Sequence, residues 1–494
     1  MRSLPRLTER RIVVALVVLL VIARSIVLVF WPQSYFDSDQ AIMGLMGKHL
    51  SELRAFPVFM YGQTYMLGVE AWLAAPLFLV LGVSVMSLKL PLLAMSLAIA
   101  VLLLRTLEQE AGLRPAHAAA ASVFFILSPP GTAAQLLEAS GGNLEPLLYV
   151  ILIWLTRHRP GWCGFVFGLG CVTREFTLYG LIALLAIEAA DRSLFTREGI
   201  RRRLTTLRVA AQVWLIVQVL HYHSSAAGPG TTVAILGTPS NNLLNLVERI
   251  CVSPSTFLTG IGRIASIHWP QLFGTPSLPL LHYGINSHER EGMRGAGIIL
   301  AVAMVLAVVR IASRLLKLRR WDRQYDFCAY LALTGILSAL GYVVGRCGTV
   351  GLMRYDLLSI LGAVGLSAWF LRTERSRTLA ALWLVLIGTW SLVSAVPHGR
   401  LLAEYLQHPP VGPKILIAQE LQARGIRYGT ADYWNAYYIT FVTRERILLA
   451  SYDYVRIPSY MQTVSEHANE AVRVSRKPCE GGQPLMAGVY LCPQ

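Results

Sequence analysis

Charge is scarce in this sequence: Asp and Glu number 28 among 494 residues, and charged residues of both signs make up only 15%. Set against 54% apolar residues and a mean hydropathy of +0.52, that scarcity excludes both a water-soluble domain and a disordered chain. Cysteine is sparse too, seven in all, so no disulfide framework carries the fold. The chain has no Walker loop, GxSxG elbow, HExxH pair or dinucleotide fingerprint. Nucleotide-driven transport, soluble-type hydrolysis and a nucleotide cofactor therefore lose support. What is present is a series of long apolar runs, which belong in a bilayer. The 44 Lys and Arg leave a net charge of +16, which here marks basic loops on the cytoplasmic side and not a nucleic-acid partner.

Arg2, Arg6, Arg10 and Arg11 precede an apolar run from Ile12 to Trp31. It is longer than a signal-peptide core and reads as a retained first helix entering from the cytoplasm. Further runs of spanning length fall near 86–104, 117–130, 143–156, 206–221, 296–313, 326–345, 356–371 and 379–397. The stretch 162–190 carries Thr173, Arg174 and Glu175 at its centre and reads as two short helices meeting at a polar turn. Residues 66–83 are apolar enough to cross. Crossing would put every later basic cluster, from Arg105/Arg114 to Arg372/Arg375/Arg377, opposite the N-terminus. The positive-inside rule therefore lays this segment at the outer interface.

The expectation is a mainly α, polytopic helical bundle of about eleven spans in the inner (plasma) membrane. Its outer face carries 32–85, 131–142, 222–293 and 346–355. Residues 1–397 form the membrane domain and 398–494 a small extracytoplasmic α/β domain. That tail has strand-like runs at Ile426–Ala431, Ala436–Phe441 and Ile447–Ser451 and a helix at Pro413–Arg424. Cys479 and Cys492 pair there if the compartment is oxidising, or stay as thiols; sequence leaves both open.

With acids so few, their placement carries information. Asp37 and Asp39 follow the first span, ahead of an expected amphipathic helix, Ala41–Leu53. Such a pair suits a general base or a divalent cation, Mg or Mn, and equally a capped, solvated loop. Glu70 lies within the interfacial segment, where a charge is costly unless it is partnered or used. The loop 131–142 holds Glu138 and Gly141-Gly142, with Glu145 opening the next span. The glycines permit a tight turn or close approach to a ligand, and Glu145 also fits a plain helix-dipole role. Arg346, Arg354 and Arg174 offer bidentate phosphate contacts on the same face. Arg346 and Arg354 equally suit snorkelling, and Arg174 equally suits neutralising Glu175. The histidines of 222–293 show no ligand spacing.

Taken in order, several features resemble the GT-C membrane glycosyltransferases, and among them bacterial relatives of the protein O-mannosyltransferases and of the lipid A aminoarabinose transferase. They are the N-in first helix, the acidic loop FDSDQAIMGLMGKHL, the stretch FPVFMYGQTY, the juxtamembrane segment through Glu70, the loop ending in GGNLE, the Arg354-Tyr355 pair opening a late span, and the tail GIRYGTADYWNAYYITF. The resemblance implies a sugar donor on a polyprenyl phosphate, an extracytoplasmic hydroxyl acceptor and inversion at the anomeric carbon. It assigns the first-loop acid to Asp39; Gln40 stands where the family usually has a second acid, which leaves open whether Asp37 supplies that carboxylate. Glu70, Glu138, Glu145, Arg174, Arg346, Arg354 and Tyr355 become candidate substrate-binding groups. The rival readings are a transporter or flippase, which would need internal repeats the sequence lacks, and a non-catalytic envelope-glycan assembly factor.

Overall fold

The computed structural model describes residues 4–31, 35–63, 65–225, 253–274, 296–317, 323–345 and 353–493. Its first half is a chain of ten helices: α1 (Leu4–Phe30), α2 (Ser38–Ser51), α3 (Val69–Leu81), α4 (Val85–Glu110), α5 (Pro115–Ile126), α6 (Pro130–Leu136), α7 (Glu145–Thr156), α8 (Pro160–Thr173), α9 (Thr177–Ala190) and α10 (Arg197–Ser225). The later long helices are Ala296–Lys317, Asp326–Gly345, Ser359–Thr373 and Arg377–Gln407. Among the described residues, seven helices are long and apolar enough to cross a bilayer. The other expected spans are α5, α7, α8 and α9, of 12 to 14 residues. These reach roughly 18–21 Å at helical rise, short of a hydrocarbon core of about 30 Å. Proline at the first turn starts α5, α7 and α8, where its missing N–H costs nothing. As the polar centre of 162–190 implied, α8 ends at Thr173 and α9 begins at Thr177.

The 13 residues of α3 extend about 20 Å, too little to span alone, and the helix packs on α2 and α4. Leu79 and Val80 are left exposed. At the opposite end of the bundle, ion pairs tie helix ends together: Arg10–Glu108, Arg157–Glu110, Arg203–Glu188 and Arg310–Glu374.

Two local expectations are corrected. The segment expected as an amphipathic helix over 41–53 begins at Ser38, capped by Asp37, and Gln40 to His49 are all buried. It is buried because α3 covers one side and a tail helix another. The run 436–441 is helical, inside Tyr433–Val442. Its aromatic and β-branched residues favour strands in isolation, but the Asp432 side chain accepts hydrogen bonds from the N–H groups of Trp434 and Asn435 and starts a helix instead.

In the tail, Pro413–Ala423 is helical as expected, and β1 (Tyr428–Ala431) and β2 (Leu448–Ser451) fall in the other two strand-like runs. They join β3 (Val472–Ser475), β4 (Gln483–Met486) and β5 (Val489–Pro493) in a sheet ordered β2-β1-β3-β5-β4. The β2-β1-β3 side is parallel and the β3-β5-β4 side antiparallel. Cys479 and Cys492 are disulfide-bonded.

Candidate active site

The tail docks on α2 through the helix Tyr433–Val442, and this contact builds the site. Gly44 of α2 makes it possible, because a side chain there would overlap the Phe441 ring. Beyond that helix, Arg444 and Glu445 both adopt left-handed backbone (φ 56° and 64°), a conformation that costs a non-glycine residue energy. The turn delivers the Glu445 carboxylate to Lys48 at 2.5 Å, His49 at 2.9 Å, Tyr460 at 2.7 Å, and Arg54. Burial alone would raise the Glu445 carboxyl; hydrogen bonds from His49, Lys48 and Arg54 overcome it and hold the group well below the usual carboxylate range.

At the other end of the same helix, the backbone N–H of Tyr433 is fixed by Asp453 at 2.8 Å. The phenol donates to the Oδ1 of Asp39. Asp37 accepts from the Gln40 N–H at 3.1 Å as the α2 cap. Burial, with Glu138 and Asp39 close by, pushes the Asp37 carboxyl up to about 7. Glu138 is also raised, first by burial, although the Arg354 guanidinium lies 3.7 Å away. Arg354 also sits over the Tyr355 ring at 5.3 Å. Lys414, lowered by burial and drawn the other way by Asp37, closes this group from the tail side. Four of the residues singled out from sequence, Asp37, Asp39, Glu138 and Arg354, therefore converge although they come from distant segments.

Glu70, Glu145 and Arg174 form a second group around one turn. Gly141 and Gly142 have φ of +84° and +92°, and a Cβ on Gly142 would run into Arg174. The Glu70 Oε1 accepts the N–H groups of both glycines, at 2.9 and 3.3 Å. Arg174 donates to the Gly141 carbonyl at 2.6 Å. The Glu145 carboxyl meets that of Glu70 and accepts the Leu144 N–H at 3.2 Å. This group shapes the loop that carries Glu138. Arg174 makes no ion pair with Glu175 among the described residues, and Arg346 lies outside them.

Gln40 has a structural task. Its side-chain oxygen accepts the Ala139 N–H at 3.3 Å and its amide donates to the Tyr35 carbonyl, linking the α2 cap to the Glu138 loop. Sequence reasoning missed Tyr433, Lys414 and Glu445. No local signal marks them: nothing in the sequence around Lys414, Tyr433 or Glu445 says that they reach the first loop or α2.

A divalent cation finds a thin donor set. Among the described residues no three His, Cys, Asp or Glu side chains converge as a metal cage. One oxygen of Asp39 takes the Tyr433 phenol, one of Asp37 takes the α2 cap, and Glu138 faces Arg354. This does not match a carboxylate cage for Mg or Mn, and no step below is routed through a metal.

No protein-family model and no curated protein matches the chain. Solved structures do match its fold. ArnT from Cupriavidus metallidurans bound to undecaprenyl phosphate aligns over 98% of this chain and 97% of that one, with TM-score 0.58 and 11% identity. The apo state of the same protein aligns over 92% of each chain, with TM-score 0.52 and 11% identity. The Archaeoglobus fulgidus oligosaccharyltransferase, in complex with Zn and sulfate, aligns over 94% of this chain and 68% of its own, with TM-score 0.53 and 13% identity.

Proposed function

We propose that this chain, which has the GT-C fold of multi-pass membrane glycosyltransferases, moves a sugar from a polyprenyl-phosphate donor to a hydroxyl of an extracytoplasmic acceptor, with inversion. The observation that carries the reading is the meeting of Asp39, Asp37, Glu138 and Arg354 between α2, the Gly141-Gly142 loop and the tail, on a fold whose ArnT relative is bound to undecaprenyl phosphate.

In the reaction, the acceptor oxygen bonds to the anomeric carbon from the face opposite the phosphate, and the carbon–oxygen bond to the phosphate breaks. The acceptor proton passes to the Asp39 carboxylate, held in place by the Tyr433 phenol. The bonding pair leaves with the polyprenyl phosphate, and Arg354 is the cation placed to stabilise its charge. Glu138 holds Arg354, and Glu70, Glu145 and Arg174 hold the loop that bears Glu138. A site at a bilayer surface suits a substrate with a lipid tail and a sugar head. The structural role of Gln40 supports the catalytic reading over an assembly factor, because its departure from the family pattern removes no carboxylate the mechanism needs. The active face and the tail are outside the cell membrane in this reading, with the N-terminus in the cytoplasm.

The test is product analysis. Purified chain in nanodiscs, given a panel of labelled polyprenyl-phosphate sugars and candidate acceptors, is expected to form one glycoside whose anomeric configuration, read by NMR, is opposite to that of the donor. Retained configuration contradicts the single-displacement mechanism, and no transfer or release from any donor contradicts the transferase reading.

A further inference from the structure

The tail domain carries a cleft of about 580 Å³ that the reaction as described does not use. That volume lies within the range of small-molecule sites. Its walls are Trp434 and Tyr452, both large and about half exposed, and three exposed cations, Arg473, Arg476 and Lys477. None of these cations is in an ion pair among the described residues, and Arg473 stacks over the Tyr452 ring at 5.0 Å. The acid at the rim, Asp432, offsets only one of these three charges, and both its oxygens are turned to the Trp434 N–H, the Asn435 N–H and the Asn435 side-chain amide at the start of the Tyr433–Val442 helix. The Cys479–Cys492 disulfide forms one lip, and Cys492 is paired in register with Arg473.

The cleft adjoins the reacting groups. Asp432 lines it, and the next residue, Tyr433, donates to Asp39. Lys414 lies within electrostatic range of Asp37 on one side and of Asp432 and Arg476 on the other. Flat aromatic faces give area without conformational cost, and unpaired guanidinium and ammonium groups take anionic oxygens. We propose that this cleft binds an anionic saccharide, sugar rings bearing phosphate or carboxylate groups. On the transferase reading, from which the role is taken, that saccharide is part of the acceptor, held by the tail while its hydroxyl reaches Asp39.

The test is binding without donor, so that it does not depend on turnover. Full-length chain in phosphatidylcholine nanodiscs is titrated with a dye-tagged galacturonate hexamer and with dye-tagged maltohexaose, in the presence and absence of inorganic phosphate at constant ionic strength. The charged oligomer is expected to bind at least about tenfold tighter than the neutral one, a difference that one or two charge-assisted hydrogen bonds supply. Displacement by phosphate shows that the cations take phosphate oxygens as well as carboxylates, and no displacement confines them to carboxylates. The exposed double variant Arg476→Ser/Lys477→Ser is expected to lose that advantage with an unchanged unfolding midpoint, and Trp434→Phe to keep more of the binding than Trp434→Ala. Equal affinity for charged and neutral oligomers, or a folded double variant that binds like the wild type, overturns the proposal. Charge-selective binding by a chain that transfers no sugar keeps the cleft as a saccharide site and removes the transferase reading alone.

Discussion

Asp37 and Asp39 lie two positions apart and have different surroundings. Asp39 has a phenol donor from the tail, while Asp37 is half-buried beside two other acids, which with desolvation push its carboxyl up to about 7. A carboxyl raised by folding binds its proton more tightly in the native state, so the stability it contributes is full below the ordinary Asp range and is lost as pH rises through about 7. Asp37→Asn keeps an oxygen to cap α2 and removes the cost of the buried charge. It is expected to be more stable than the wild type at pH 8 by about 2 kcal/mol, with the gain shrinking as pH falls and disappearing below about pH 4; thermal unfolding in nanodiscs across that range checks it, and a gain independent of pH contradicts it. Tyr433→Phe removes the donor to Asp39 together with the phenol oxygen that faces Arg456. About a tenfold loss of kcat with little change in KM is expected from the misplaced base, and an unchanged kcat means that the phenol does not position Asp39.

At the scale of elements, α2 and the Gly141-Gly142 turn are the parts on which the site is built. Gly142→Ala forces a side chain into left-handed backbone and against Arg174. A cost of about 2 kcal/mol or more is expected, together with loss of turnover because Glu138 and Arg354 shift; wild-type stability and activity in this variant contradict the role given to the turn. Much of this was legible in the sequence. Hydropathy placed the long helices, the polar residues Thr173 to Glu175 divided α8 from α9, and paired glycines beside scarce acids marked the turn. The run 436–441 was not legible as a helix, because its strand propensity is local and the Asp432 cap with burial against α2 overrides it. The burial of α2 was equally hidden, since the surface covering it lies almost 400 residues away in sequence, with Tyr433 and Asp39 separated by 394 positions.

At the scale of the molecule, the tail is fastened to the bundle at both ends of one helix, by Tyr433 on Asp39 and by Glu445 on Lys48, His49 and Arg54. Sequence reasoning expected the tail as a domain and named the acids as candidates, but the fastening depends on long-range pairs that no spacing reveals. The Glu445 carboxyl is depressed in the folded chain, so its contribution to stability is present above the ordinary Glu range and lost as pH falls below it. Glu445→Gln is expected to destabilise the chain by about 3 kcal/mol near pH 7, with the gap to wild type narrowing below about pH 4; equal unfolding midpoints at neutral pH contradict the latch. In the proposed reaction Asp39, held by this docking, and Arg354, held by Glu138, together perform glycosyl transfer. The most direct measurement is the initial rate of sugar transfer from a labelled polyprenyl-phosphate donor by wild type, Asp39→Asn and Arg354→Ala in nanodiscs, with unfolding midpoints measured alongside. The expected result is wild-type turnover that falls by about a hundredfold or more in both folded variants, whereas transfer at the wild-type rate by folded Asp39→Asn contradicts the account.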